Sequence, residues 1–151
     1  AEKSRKSGDK FQHIWIELRD DEGYPGSKPP WGRLTALDLN SGLIKWQVPF
    51  GNYQDVNLKS GEQTGQPNAG GAIVTAGGLV FATGTVDGKI RAFNKENGDL
   101  LWSYQLPFSG SAPPATFEID GEQYLVVQAT GRGGSFFKGL GNAMVAFKIK
   151  K

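Results

Sequence analysis

The sequence predicts an all-β fold, a partial β-propeller of four-stranded antiparallel blades, about two and a half blades in all. Three observations predict it. The stretch Arg33 to Trp46 aligns without gaps against Lys89 to Trp102, 56 residues later, with Ala36/Ala92, Asp38/Asn94, Gly42/Gly98 and Trp46/Trp102 at matching places. Glycine occurs 22 times in 151 residues, which with eight prolines implies many turns and short elements rather than long helices. Each period of about 55 residues holds short runs rich in β-branched and aromatic residues, separated by turn pairs. Four-stranded units repeated in this way are the blades of a propeller. A ring needs at least four of them, so the chain is expected to be part of a larger ring or to assemble with other chains.

Residues 1–22 are expected to form a lead-in. The first part is polar and of mixed charge, and His13 to Leu18 is a short β-like apolar run. Blades occupy residues 23–151. Asp20 to Gly26 is a turn-rich connector, and Lys28 to Gly32 leads into the first copy of the repeat. Arg33 to Ala36 and Lys89 to Ala92 are predicted third strands, Ile44 to Val48 and Leu100 to Leu106 fourth strands, with Gly42 and Gly98 at the turns between them. Ala72 to Thr75 and Leu79 to Thr83, joined at Gly77-Gly78, form a hairpin that ends at Asp87-Gly88. Ala115 to Ile119 and Gln123 to Ala129, joined at Asp120-Gly121, repeat it. A weaker third copy of the repeat begins at Asn142.

Composition excludes several classes. The 17 Lys+Arg and 15 Asp+Glu leave a net charge of +2, so nothing marks a nucleic-acid binder. With no cysteine, there is no disulfide scaffold, thiol nucleophile or c-type haem attachment. His13 is the single histidine, and without a second one there is no transition-metal site to argue for. No apolar run approaches the roughly 20 residues of a membrane helix. The chain opens on Ala rather than Met, as it would after removal of a signal peptide or after shortening.

The pattern Ala-x-Asp/Asn-x-x-x-Gly-x-x-x-Trp, at Ala36 to Trp46 and Ala92 to Trp102, resembles the tryptophan-docking repeat of the quinoprotein dehydrogenases, which carry pyrroloquinoline quinone (PQQ) on an eight-bladed propeller. Pro29 to Gly42 and Gly70 to Phe81 are similar to the last blades of the branch that oxidises sugars and polyols, the glucose dehydrogenases and their relatives; the resemblance covers about residues 23–148. It implies a periplasmic, PQQ-dependent dehydrogenase acting on CH–OH groups, with calcium beside the quinone. This chain would be its C-terminal portion, closing the ring and lining part of the quinone pocket. The aspartate base and the calcium ligands are implied to lie upstream, so no catalytic residue and no metal ligand is assigned here, and the segment alone should bind no cofactor and perform no catalysis. The expected partners are the remaining blades, or further copies of this chain. The alternative, from a different class, is a non-catalytic propeller scaffold or assembly module.

The candidate cofactor-binding residues are Asn68, Ala69, Gly70, Gly71 and Arg132. The two glycines permit a backbone to approach a planar ligand, and in the resembling family the residue before this pair, here Ala69, makes main-chain contact near the quinone; the competing reading is a plain tight turn. Gly131-Arg132-Gly133-Gly134 resembles a loop on the active-site face. Arg132 there is either a carboxylate-binding guanidinium or a solvated loop arginine. Trp46 and Trp102 are expected to be buried between neighbouring sheets rather than stacked on the quinone. Asp38 and Asp87 are expected to be turn formers, neither of them a general base.

Overall fold

The computed structural model describes residues 18–53, 63–131 and 139–148, and among them it contains nine strands and no helix. The strands are β1 (Arg33–Leu37), β2 (Ile44–Pro49), β3 (Ala72–Val74), β4 (Leu79–Ala82), β5 (Lys89–Asn94), β6 (Leu100–Gln105), β7 (Ala115–Ile119), β8 (Glu122–Gly131) and β9 (Leu140–Lys148). All pairings are antiparallel, in three sheets of order β1-β2, β3-β4-β5-β6 and β7-β8-β9. The middle sheet is the complete four-stranded unit, with β5 third and β6 fourth. The run His13 to Ile16 lies outside the described residues, and Leu18 at its end is exposed and belongs to no strand.

The repeat is a repeated turn. Asp38 Oδ1 accepts the Asn40 amide at 2.8 Å, Gly42 N–H returns to the Asp38 carbonyl at 2.7 Å, and Asp38 N–H reaches Leu43 O at 2.9 Å. Asn94, Glu96, Gly98 and Asp99 repeat these bonds at 2.8, 2.9 and 2.8 Å. A short side-chain acceptor at the first position and a left-handed glycine at the fifth are what this turn requires, and φ is +72° at Gly42 and +79° at Gly98. Both hairpins also carry a register shift at the same place, after Ala36 and after Ala92, leaving Lys45 and Leu101 bulged just ahead of Trp46 and Trp102.

Two apolar layers hold the three sheets together. Phe50, Val80, Ala82 and Phe93 fill the space between the first and second sheets, with the Phe50 and Phe93 rings edge to face at 6.1 Å. Ile90, Leu106, Leu125, Val127 and Ala129 fill the space between the second and third. β5 lies in both layers, which is why its four central residues are buried whatever face they take.

The two tryptophans differ. Trp46 is half-buried, with its Nε1–H donating to the Lys95 carbonyl at 2.8 Å. Trp102 remains 37% exposed, stacked on Tyr104 and edge-on to Phe147 at 5.2 Å, so the expectation of burial fails for it. The difference is local: Trp46 lies under the turn after β5, whose Lys95 carbonyl takes its indole N–H, whereas the described ring contacts of Trp102 are Tyr104 on its own strand and Phe147 on β9.

Candidate functional site

Asn68 to Gly71 runs along the turn between β4 and β5. Asn68 bridges to Thr85, Ala69 N–H donates to Gly84 O at 3.0 Å, and Thr83 N–H donates to Gly71 O at 3.3 Å. A Cβ at Gly70 would fall on the Thr83 carbonyl, and one at Gly84 (φ +102°) on the Gly70 backbone, so these glycines let two segments of this chain touch. A Cβ at Gly71 would meet the Pro113 ring at 2.6 Å. The close approach expected of the glycine pair is thus made within the chain, while Asn68 stays exposed.

The same end of the molecule gathers the corresponding part of the third sheet. Ser109 Oγ–H donates to Thr85 O at 2.8 Å, Gly110 packs on Thr83 and bridges Ala129, and Gly131 N–H donates to Ser109 O at 2.9 Å. Gly131 therefore stands on the Asn68–Gly71 end of the sheets. Arg132, which follows it, lies outside the described residues.

A buried polar network underlies this end. Arg91, only 7% exposed, pairs through both terminal guanidinium nitrogens with Asp87 and donates to Thr85 Oγ1 at 3.0 Å, its guanidinium 5.7 Å from the Phe50 ring centre. Asp87 also receives the Thr85 hydroxyl at 2.6 Å, Lys89 N–H at 3.2 Å and Asn52 N–H at 3.3 Å. Burial pushes the Asp87 carboxyl up, but the Arg91 guanidinium, aided by Thr85 and the Lys89 amide, outweighs it and holds the group below its ordinary value. A carboxylate so engaged is a clamp between the linker after β2 and the β4–β5 turn.

Gln66 completes the clamp: its N–H donates to Phe50 O at 2.8 Å and its Oε1 receives Asp87 N–H at 2.9 Å. Sequence reasoning missed Gln66 and Arg91. The available signal was a cation inside the otherwise apolar run Ile90 to Phe93, four residues after a turn aspartate. A cleft of about 410 Å³ opens above the clamp, between the start of β1 and the start of β3, lined by Trp31, Arg33, Gln66, Asn68 and Gly71 among others. Beside it Trp31 stacks on Tyr24 at 5.9 Å, with Tyr53 edge-on to both. Among the described residues no group of three or more His, Asp or Glu could hold a metal ion, and no helix is long and apolar enough to cross a membrane.

Comparison with known proteins decides the family. Residues 2–125 match the family profile described as PQQ: glucose/ethanol/alcohol dehydrogenase, beta-propeller domain. The chain belongs to this family. Among its relatives, the quinoprotein glucose dehydrogenase of Escherichia coli is 38% identical over 132 residues, 84% of this chain and 16% of that protein. The quinate/shikimate dehydrogenase (quinone) of Acinetobacter baylyi is 38% identical over 136 residues, covering 85% and 17%. The quinohemoprotein alcohol dehydrogenase of Comamonas testosteroni shares the fold with a TM-score of 0.58 at 26% identity, over 84% of this chain and 17% of that one. The chain thus spans about a sixth of these PQQ-family relatives, and the other blades of the propeller are implied.

The quinone of this family is an acidic, oxygen-rich planar molecule, which calls for hydrogen-bond donors. The cleft is lined by Asn68, Gln66 and Arg33, residues whose side chains carry N–H donors, and the Asp87 carboxylate nearby is already engaged. The donor set fits such a group.

Proposed function

We propose that this chain is the C-terminal segment of a periplasmic PQQ-dependent dehydrogenase that oxidises the CH–OH groups of sugars or polyols, where it closes the propeller and forms one wall of the quinone pocket. The observation that carries the reading is the convergence, at one end of adjacent sheets, of Asn68–Gly71 and Gly131, with the Asp87–Arg91 clamp fixing the former and Ser109 tying the latter to the same turn. The quinone, bound with calcium held by residues upstream, would supply hydride acceptance from the alcohol carbon. This chain's own part is placement. Asn68 and the Ala69 main chain would lie against the quinone, and Arg132 beside it would receive a carboxylate.

In the same reading Trp46 and Trp102 dock successive blades, and the chain by itself neither catalyses nor holds quinone. The test is oxidation of glucose, glycerol and quinate by the complete protein, supplied with PQQ and calcium and coupled to a dye acceptor. Quinone-dependent turnover that residues 1–151 alone do not show supports the proposal. A complete protein with no quinone-dependent turnover on any of the three would overturn it.

A further inference from the structure

We propose that Gln66 is a ligand-contacting residue of the same site, donating from its side-chain amide to an oxygen acceptor of the molecule bound in the cleft. The inference rests on the reading above and adds a residue to it. Gln66 is 2% exposed, an unusual place for an amide that must satisfy both an acceptor and two donors. Its amide assignment is set by its partner: Asp87 N–H can only donate, so the atom it meets is Oε1, and the NH₂ group occupies the other branch of the amide. That nitrogen has no hydrogen-bonding partner among the described residues. Every fully buried side-chain nitrogen and oxygen described has one, so the Gln66 nitrogen is not fully buried, and Gln66 is among the residues that line the cleft with Trp31, Asn68 and Gly71.

The residue is also held firmly. Its backbone is bonded to Phe50 and packs where Gly32 has no Cβ, and its side chain lies against Gly51, where a Cβ would stand 2.8 Å from Oε1. An amide locked on its acceptor side, in a residue that lines a cleft, is preorganised for a ligand oxygen. The complementary chemistry is a carbonyl, carboxylate or hydroxyl oxygen, carried either by the quinone or by the alcohol substrate.

Gln66→Glu separates this role from the structural one, because it keeps an oxygen for Asp87 N–H and replaces the donor with an acceptor. In the complete protein it places a carboxylate at a nearly buried position beside Asp87, so the thermal midpoint should fall, and in the protein that still folds ligand binding should weaken about tenfold or more. A rise in the Kd for PQQ assigns the oxygen to the quinone; a rise in KM at unchanged Kd assigns it to the substrate. A folded Gln66→Glu protein with both constants within about twofold of wild type overturns the proposal. Should the glutamate prevent folding, Gln66→Met, uncharged and of equal length, decides on the same two constants. A wild-type protein that binds no PQQ fails the underlying reading instead, and is recognised before any variant is made.

Discussion

Trp46 lies on Gly98. The five- and six-membered rings come so close that a Cβ on Gly98 would stand 2.7 Å from Cε3, and the indole N–H bonds the Lys95 carbonyl three residues earlier. A fourth-strand tryptophan of one sheet is therefore seated on the left-handed turn glycine of the next, and the repeat that predicted the turns also joins the sheets. An ion pair between Lys45 and Glu96 flanks the contact at the surface.

Gly98 and Gly42 allow a controlled comparison. Both have positive φ, but a Cβ at Gly42 meets nothing within 4 Å. Gly42→Ala should cost only the backbone strain, about 1–2 kcal/mol, whereas Gly98→Ala must also displace the indole and should cost about 1–3 kcal/mol more. Urea unfolding of the two variants measures the difference. Equal costs would show that Trp46 is not seated on Gly98.

Trp46→Ala should destabilise the chain by about 3–5 kcal/mol, and Trp102→Ala by clearly less, since Trp102 is still partly in water and has, among the described residues, Tyr104 and Phe147 as ring neighbours. Chemical denaturation of each variant checks the order.

The Asp87–Arg91 pair makes stability depend on acid. The Asp87 carboxyl is held below its ordinary value of 3.8, so its stabilisation is complete above about pH 4 and is lost as pH falls through the lower folded value. Asp87→Asn should flatten that decline, and by stranding a buried guanidinium it should cost about 3–5 kcal/mol near neutrality. Urea midpoints across an acid titration of both proteins give the answer.

Taken alone, residues 1–151 should associate. Large apolar side chains such as Leu37, Ile44, Leu101 and Phe117 are exposed on strands, and blades normally cover such faces with neighbours. Sedimentation over a dilution series should show oligomers; a compact monomer at all concentrations would contradict this.

Much of this fold was legible because its determinants are local. An acid or amide four residues before a glycine specifies the turns at Asp38–Gly42 and Asn94–Gly98, and Asp120-Gly121, both with positive φ, specifies the β7–β8 hairpin. What was not legible depends on which faces meet. Gly70 and Gly71 advertise a close approach but not that Gly84 and Pro113 make it, and no spacing rule brings Gln66 to Asp87 across 21 residues. Trp46 and Trp102 look equivalent in sequence and differ only in what covers them.

The placement of Asn68 at the quinone is tested most directly by equilibrium titration of the complete wild-type and Asn68→Asp proteins with PQQ in the presence of calcium. Asn68 is exposed, and its side-chain bond to Thr83 O is long at 3.5 Å, so the substitution leaves the fold intact while turning a donor into a carboxylate. If Asn68 faces the acidic quinone, the variant binds about tenfold or more weakly at an unchanged thermal midpoint. Equal affinities would remove Asn68–Gly71 from the quinone pocket.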